Sequence, residues 1–213
     1  MKIKTFEFSP IAVNTYVISD ETGECAIIDA ASFYADEKEE LISYIKDNVL
    51  MPKHLLNTHL HFDHVFGVGL VEERFNLRME AQGDDEFLLR DMPRQLQIFG
   101  FGTENAPALS IGKYLKDGDI LSFGKQKLKV LEVPGHSPGS IAFYNEAAAC
   151  VFTGDALFLS SIGRTDLPGG NYDQLIGSIR EKLFSLPPET VVYPGHGSST
   201  TIGYEEKSNP FFQ

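Results

Sequence analysis

Cysteine is scarce in this chain, with two in 213 residues. Each sits in an apolar run, Cys25 in Cys25-Ala26-Ile27-Ile28 and Cys150 between Ala147 and Phe152, where a buried reduced thiol is expected, and with it a reducing compartment. Positive charge is short as well: 18 Lys and Arg against 30 Asp and Glu leave a formal net charge of −12. No lysine or arginine run interrupts that acidity, so phosphate backbones and anionic membrane surfaces would be repelled. The expected partner is a small molecule, with no nucleic acid and no membrane. Long apolar runs are missing too. There is no apolar stretch of membrane-spanning length, and Met1 to Asp20 lacks the apolar core of a secretion signal, which makes the cytoplasm the expected location. Neither an internal repeat nor a low-complexity linker divides the sequence, and its length suits one domain over residues 1–213.

What the chain does have is Thr58-His59-Leu60-His61-Phe62-Asp63-His64, which packs three of the 6 histidines and a carboxylate into six consecutive positions. Imidazole and carboxylate are ligands for first-row metals, and two histidines at i and i+2 of extended chain point to one side. His-x-His-x-Asp-His would arise by chance in roughly 3 of 10,000 chains of this make-up, so a two-metal site is the first hypothesis. The competing reading is a polar loop closing a strand, or a surface cluster that picks up metal adventitiously. Further ligands downstream decide between them.

Periodicity gives a coarse order of elements. Lys2 to Phe8 alternates as a strand closed by Ser9-Pro10, and Thr15 to Ser19 with Cys25 to Ala30 reads as a hairpin, so the chain opens as antiparallel sheet. Asp36 to Asn48 is an amphipathic helix stopped before Pro52, and His54 to Asn57 a short strand that delivers the cluster. Gly67 to Phe75 follows as a helix and Leu77 to Ala81 as a strand. Asp84 to Phe99 is helical in composition but interrupted at Pro93, which predicts a kink or two short pieces before a loop around Asn105 to Pro107. Ile120 to Phe123, Leu128 to Val133, Ser140 to Tyr144 and Ala148 to Phe152 are four strands of a second sheet. Tyr172 to Phe184 is an amphipathic helix and Thr190 to Tyr193 the last clear strand.

Three segments repeat one pattern, an apolar strand, a glycine and a ligand-type residue: Leu131-Glu132-Val133-Pro134-Gly135-His136, Val151-Phe152-Thr153-Gly154-Asp155 and Val191-Val192-Tyr193-Pro194-Gly195-His196. Strand ends converge on one sheet edge, and a glycine there lets the backbone turn sharply or pass close to a metal. Singly, Asp155 reads as a cap or turn residue and each histidine as hydrogen-bonded structure; beside the cluster they read as the missing ligands.

With these motifs in this order, from Asn14 to Gly203, the chain resembles the metallo-β-lactamase superfamily, and within it the compact glyoxalase II-like (hydroxyacylglutathione hydrolase-like) hydrolases. The resemblance implies an α+β four-layer αβ/βα sandwich, with the metal site at one edge between two mixed sheets. It further implies that His59, His61 and His136 hold one metal, that Asp63, His64 and His196 hold a second, that Asp155 bridges them, and that Asp29 supports the ligand loop. The cofactors would be two divalent ions, zinc first, with iron or manganese as alternatives. Two cations sharing a water lower its pKa from about 15.7 toward about 7, which supplies a metal-bound hydroxide, and a carbonyl on one of them becomes electrophilic. A thioester suits such a site because its thiolate leaves with little protonation. Asp63 is assigned as the catalytic acceptor or orienter of the water, and Arg164 as a contact for a substrate carboxylate.

The departures narrow the choice. Asp155 stands where the best-known zinc β-lactamases have cysteine, and Cys150 lies five residues too early to replace it, which argues against that activity. The RNA-processing relatives carry basic surfaces that a −12 chain does not match. Ser198 replaces the tyrosine usual in glyoxalase II, and the chain ends at Gln213 where that enzyme continues into a helical domain that grips glutathione. The segment Ile162-Gly163-Arg164-Thr165-Asp166 resembles both compact glyoxalase II-like hydrolases and persulfide dioxygenases, which use a single iron. The leading expectation is therefore a metal-dependent thioester hydrolase. A mono-iron persulfide dioxygenase and a non-catalytic, metal-stabilised binding protein are its alternatives.

Overall fold

The computed structural model describes residues 1–106 and 108–213, so Pro107, in the loop expected around it, lies outside the described residues. In chain order the strands are β1 (Lys2–Phe8), β2 (Val13–Ser19), β3 (Glu24–Ile28), β4 (Met51–Leu56), β5 (Met79–Ala81), β6 (Lys113–Tyr114), β7 (Ile120–Phe123), β8 (Gln126–Glu132), β9 (Ile141–Asn145), β10 (Cys150–Gly154), β11 (Leu157–Phe158), β12 (Ser161–Ile162), β13 (Val191–Pro194) and β14 (Thr200–Thr201). The helices are α1 (Ala35–Asp47), α2 (Val68–Phe75), α3 (Glu86–Arg90), α4 (Met92–Ile98), α5 (Tyr172–Ser178) and α6 (Ile202–Ser208). One sheet runs β1-β2-β3-β4-β5-β6 and the other β14-β13-β10-β9-β8-β7, with β11 and β12 as a separate hairpin. Both large sheets are mixed. The first is antiparallel from β1 to β3 and parallel from β3 to β6; in the second only β10 and β13 run parallel.

The period-two alternation of the strands decides the layers. Val17, Ile27 and Leu55 face one way into a core with Leu41 and Ile45 of α1 and Val68 and Val71 of α2. Their neighbours Ile18, Ile28 and Leu56 face the other way and meet Leu128, Phe143 and Phe152 of the second sheet. On that sheet's far side Ala142, Val151 and Val192 meet Leu175, Ile179, Leu183 and Ile202. Each central strand is buried on both faces, so the stack reads helices, sheet, sheet, helices, the expected four-layer sandwich. Cys25 and Cys150 are free and buried, and burial pushes both thiols up to about 12. No helix among the described residues is long and apolar enough to cross a membrane.

Several elements differ from the sequence reading for physical reasons. β4 starts at Met51 and contains Pro52, because β5 pairs only with Leu55 and Leu56 and leaves the proline on a locally unpaired edge. The break in the 84–99 stretch falls at Asp91, and Pro93 lies in the first turn of α4, where a missing N–H costs nothing. The helix expected to Phe184 is α-helical only to Ser178. It then passes into a π turn, Phe184 N–H to Ile179 O at 2.9 Å, that keeps Ile179 and Leu183 in the core with Leu175. β6, the β11–β12 hairpin and β14 have two residues per strand, too few for periodicity to register.

Candidate metal centre

The His59 to His64 cluster begins three residues beyond the last residue of β4 and closes with a short 3-10 turn, Phe62–His64, in which His64 N–H donates to His61 O at 3.1 Å. Polar groups cannot enter a sandwich edge this deeply without partners, and Asp29 supplies them. It sits just after β3 with φ 51, a left-handed conformation that, after glycine, asparagine and aspartate tolerate best. From there one carboxylate oxygen accepts from Thr58 N–H at 2.8 Å, and the other accepts from Thr58 Oγ1 at 2.7 Å and from His64 Nδ1 at 3.0 Å. Asn57 Nδ2 donates to His64 O at 2.9 Å and closes the loop.

The other ligand-type residues arrive as the repeated pattern predicts, just beyond β8, β10 and β13. Donor atoms of His59, His61 and His136 lie within 4.8 Å of one another, as do those of Asp63, His64 and His196, and those of His59, His64 and Asp155. Asp155 stands between the sets: Oδ1 is 3.4 Å from His64 Nε2, and Oδ2 is 3.6 Å from both His136 Nε2 and His196 Nε2. Asp63 Oδ2 is 3.5 Å from His196 Nε2 and 3.8 Å from His64 Nε2. Two donors on one four-coordinate ion with bonds of about 2.0–2.2 Å sit roughly 3.3–3.6 Å apart, so the spacings about Asp155 and that of Asp63 to His196 fit shared cations, while Asp63 to His64 is slightly wider at 3.8 Å. A Cβ on Gly195 would collide with Asp155 Oδ1, and that residue must be glycine for the His196 loop to pass this close.

Orphaned atoms give the stricter test. His59 Nε2, His61 Nε2, His64 Nε2 and Asp155 Oδ1 are buried with no hydrogen-bond partner, which is costly for side chains that could have stayed in water. Meanwhile the far nitrogens are engaged. His64 Nδ1 meets Asp29, His136 Nδ1 meets the carbonyl of Arg164 at 2.8 Å, and His196 Nδ1 meets the carbonyls of Ile11 and Ala12 at 3.1 and 3.2 Å. A proton held on Nδ1 by an oxygen leaves a lone pair on Nε2, the tautomer a metal requires. The residues therefore fit divalent ions.

Electrostatics divides the cluster in two. Burial pushes His59 well below the ordinary histidine value and His61 down to about 3, so both rings are neutral and ready to donate. Burial also opposes charge on His64, yet Asp155, Asp63 and Asp29 together raise it well above its ordinary value. His196 is likewise raised against burial, chiefly by its contact with Asp63. The carboxyls answer in kind: burial would raise both Asp155 and Asp63, but His64, His196 and His136 hold Asp155 well below the usual range, and His64 and His196 lower Asp63.

The cluster floors a cavity of about 480 Å³ that His61, Asp63, His136, Asp155, His196 and Arg164 all line. Arg164 does not present a free guanidinium: Nε and Nη2 each donate at 2.7 Å to the two oxygens of Asp166, so the two-point grip expected for a substrate carboxylate is already occupied. Its main chain, bonded to His136, has a role the sequence did not suggest. Two further residues were missed. Asp85 is fully buried and accepts from Leu60 N–H at 3.1 Å, Ser137 Oγ at 2.7 Å and Gly139 N–H at 2.6 Å, so it fastens the His59–His61 loop to the His136 loop. Burial raises its pKa against these bonds. In a helical-looking stretch such an aspartate reads as a cap, and no signal marked it otherwise. Asn14 of β2 binds the His196 loop across the sheets, through Nδ2 to Pro194 O at 3.0 Å and Gly197 O at 2.9 Å.

Residues 9–196 match the family described as the metallo-beta-lactamase superfamily. A hydroxyacylglutathione hydrolase, GloC of Haemophilus influenzae, is 38% identical over 212 residues, 99% of this chain and 98% of that protein. Among solved structures, the BLEG-1 B3 metallo-beta-lactamase superposes with a TM-score of 0.90 at 34% identity over 100% of both chains. TTHA1623 in a di-iron-bound form gives 0.86 at 37% identity, covering 98% of this chain and 99% of that one. ETHE1 from Myxococcus xanthus gives 0.80 at 29%, covering 99% of this chain and 84% of that one.

Proposed function

We propose that this chain, which belongs to the metallo-beta-lactamase superfamily, hydrolyses a small thioester of the glyoxalase II type. Membership and the His/Asp cluster support a hydrolase that depends on divalent metal. The observation that carries the proposal is the pair of donor sets joined at Asp155, with four orphaned donor atoms among them, at the floor of one cavity. His59, His61 and His136 would hold one ion and Asp63, His64 and His196 the other, with Asp155 between. Divalent ions bound there supply an acidified water and polarise a carbonyl. Either zinc or iron suits histidine and carboxylate donors.

The residues do the rest. Asp63 is lowered and ionised, lines the cavity and can take a proton from the attacking water. The water oxygen bonds to the acyl carbon, the carbon–sulfur bond breaks, and the sulfur leaves as thiolate or takes a proton to become thiol. Asp29 and the Arg164 carbonyl keep His64 and His136 in the required tautomer. The −12 charge supports a small substrate in preference to a polyanion.

A second reading, oxidation of a persulfide at one iron, draws support from the self-contained set His59, His61 and His136 with Asp155 beside it. The experiment that decides is metal analysis of protein purified without added metal, run beside thioester hydrolysis, oxygen uptake with a persulfide, and hydrolysis of a chromogenic cephalosporin. Two ions per chain with thioester turnover upholds the proposal. One iron with oxygen uptake, or turnover of the cephalosporin alone, replaces it.

A further inference from the structure

The cavity above the cluster has walls that a glutathione conjugate does not need. Phe62 and Phe99 stack at 4.8 Å, with Phe101 against Phe62 at 5.4 Å, and Ile98, Leu167 and Ile11 extend the same apolar lining. Ile98 is 64% exposed and Phe99 38%, at the end of α4 where it opens to the cavity. Large apolar side chains left in water beside a chemical site are a cost that an apolar ligand removes.

The polar groups in the lining are engaged or of the wrong sign for a peptide bearing two carboxylates. Gln95 accepts from Phe62 N–H at 3.3 Å and donates to Leu88 O at 2.7 Å. Arg164 is the sole Lys or Arg among the described lining residues, and Asp166 holds it at two of its three nitrogens, Nε and Nη2. Asp91 adds a negative charge to the wall. A tripeptide thiol would meet an apolar surface, an occupied arginine and an aspartate.

We infer that, given the thioester reading above, the substrate is the thioester of an apolar acyl group, aliphatic or aryl, on a carrier with no carboxylate at this wall. The acyl chain lies against Phe62, Phe99 and Ile98, with its carbonyl over the cluster. Hydrolysis adds water across the carbon–sulfur bond and releases the apolar carboxylic acid and the thiol, with no oxidant or reductant required.

The test compares the metal-replete protein on acetyl and hexanoyl thioesters of N-acetylcysteamine and on a hydroxyacylglutathione. Each methylene buried is worth about fourfold, so kcat/KM should rise by about ten- to a hundredfold from acetyl to hexanoyl, and the glutathione substrate should fall below hexanoyl. Ile98→Asn and Phe99→Ser, both at exposed positions, should bring the hexanoyl-to-acetyl ratio toward one. Calorimetry with the uncleavable thioether S-hexyl-N-acetylcysteamine supplies a reading independent of turnover. It should bind at least about tenfold tighter than S-methylglutathione, and Ile98→Asn should remove most of that margin. If acetyl and hexanoyl thioesters are cleaved alike, or the glutathione substrate is preferred, the apolar assignment falls and thioester hydrolysis stands. If the hexyl thioether binds with that dependence on Ile98 and no thioester is cleaved, the hydrolase reading falls and the apolar pocket stands.

Discussion

The backbone carbonyl of Arg164 accepts a hydrogen bond from Nδ1 of His136 at 2.8 Å. A residue singled out for its side chain thus acts on the cluster through its main chain, and the loop after Asp155 orients a ring delivered by a different strand. Gly163 makes this possible: a Cβ there would run into the carbonyl of Asp155 and stand 3.1 Å from His136 Nδ1. Gly163→Ala should therefore loosen two donors at once. We expect metal affinity to fall about ten- to a hundredfold, the usual effect of disturbing what holds a ligand in place, with the far-ultraviolet dichroism kept. Unchanged metal stoichiometry and kcat in this variant would show that the loop tolerates the shift.

Arg164→Met should do much less. The arginine and Asp166 are 53% and 69% exposed at the side chain, and such pairs add little to stability. The melting temperature should stay within about 2 °C, metal content should be unchanged, and KM for a hydroxyacylglutathione should move by less than about threefold. A rise of ten- to a hundredfold in that KM would mean that the guanidinium leaves Asp166 for a substrate carboxylate.

Asp29→Ala removes a buried acceptor from Thr58 and His64 together. Breaking a buried ion pair costs about 3 to 5 kcal/mol, and His64 is the partner whose charge these carboxylates sustain. Urea denaturation in the presence of a chelator should show a loss of that order, and titration of the refolded variant a metal affinity about ten- to a hundredfold lower. A variant as stable as the parent would mean that Thr58 and His64 find other partners.

Metal binding should release protons at neutral pH. Against its burial, Asp155, Asp63 and Asp29 raise His64 well above its ordinary value in the metal-free protein, so it holds a proton that a cation must displace, whereas His59 and His61 are already neutral. Affinity then weakens as pH falls. The check is calorimetric titration of metal at pH 7 in two buffers of different ionisation enthalpy. Identical heats would show that no proton leaves and that His64 is already neutral at pH 7.

His54, the one histidine outside the cluster, lies 2.6 Å from Glu80, which also receives Lys113 at 2.8 Å. Burial works against the charge on His54, but Glu80 raises its pKa above 6.5; burial likewise works against Glu80, but His54 and Lys113 lower it below 4.5. The histidine's contribution is fully present below 6.5 and is lost as pH rises through its raised value. The glutamate's is present above 4.5 and is lost as pH falls through its lowered value. Both are complete between those limits. His54→Gln should cost about 1 to 2 kcal/mol near pH 5.5, and the difference from the parent should shrink as pH rises through the raised value of His54. A pH-independent difference would show a packing effect with no ionic part.

By itself the sequence determined most of the longer elements and marked the donor-type residues. Alternation in Thr15 to Ser19 and Cys25 to Ala30, and helical spacing in Asp36 to Asn48, are local properties of the chain, and the layers follow once each strand must bury two faces. The His-x-His-x-Asp-His cluster and the glycine before His136, Asp155 and His196 are local as well, because a strand end that carries a donor needs its turn residue beside it. What only the tertiary structure decided is what those donors lean on. Asp85 meets Leu60, Ser137 and Gly139, Asn14 meets Pro194 and Gly197, and Asp166 rather than a substrate meets Arg164. Most of these contacts join residues from segments far apart in the chain, with hydrogen bonds that any buried carboxylate or amide must find somewhere. No periodicity encodes such a partner, since its identity depends on which loops the packing of two sheets brings to the same edge.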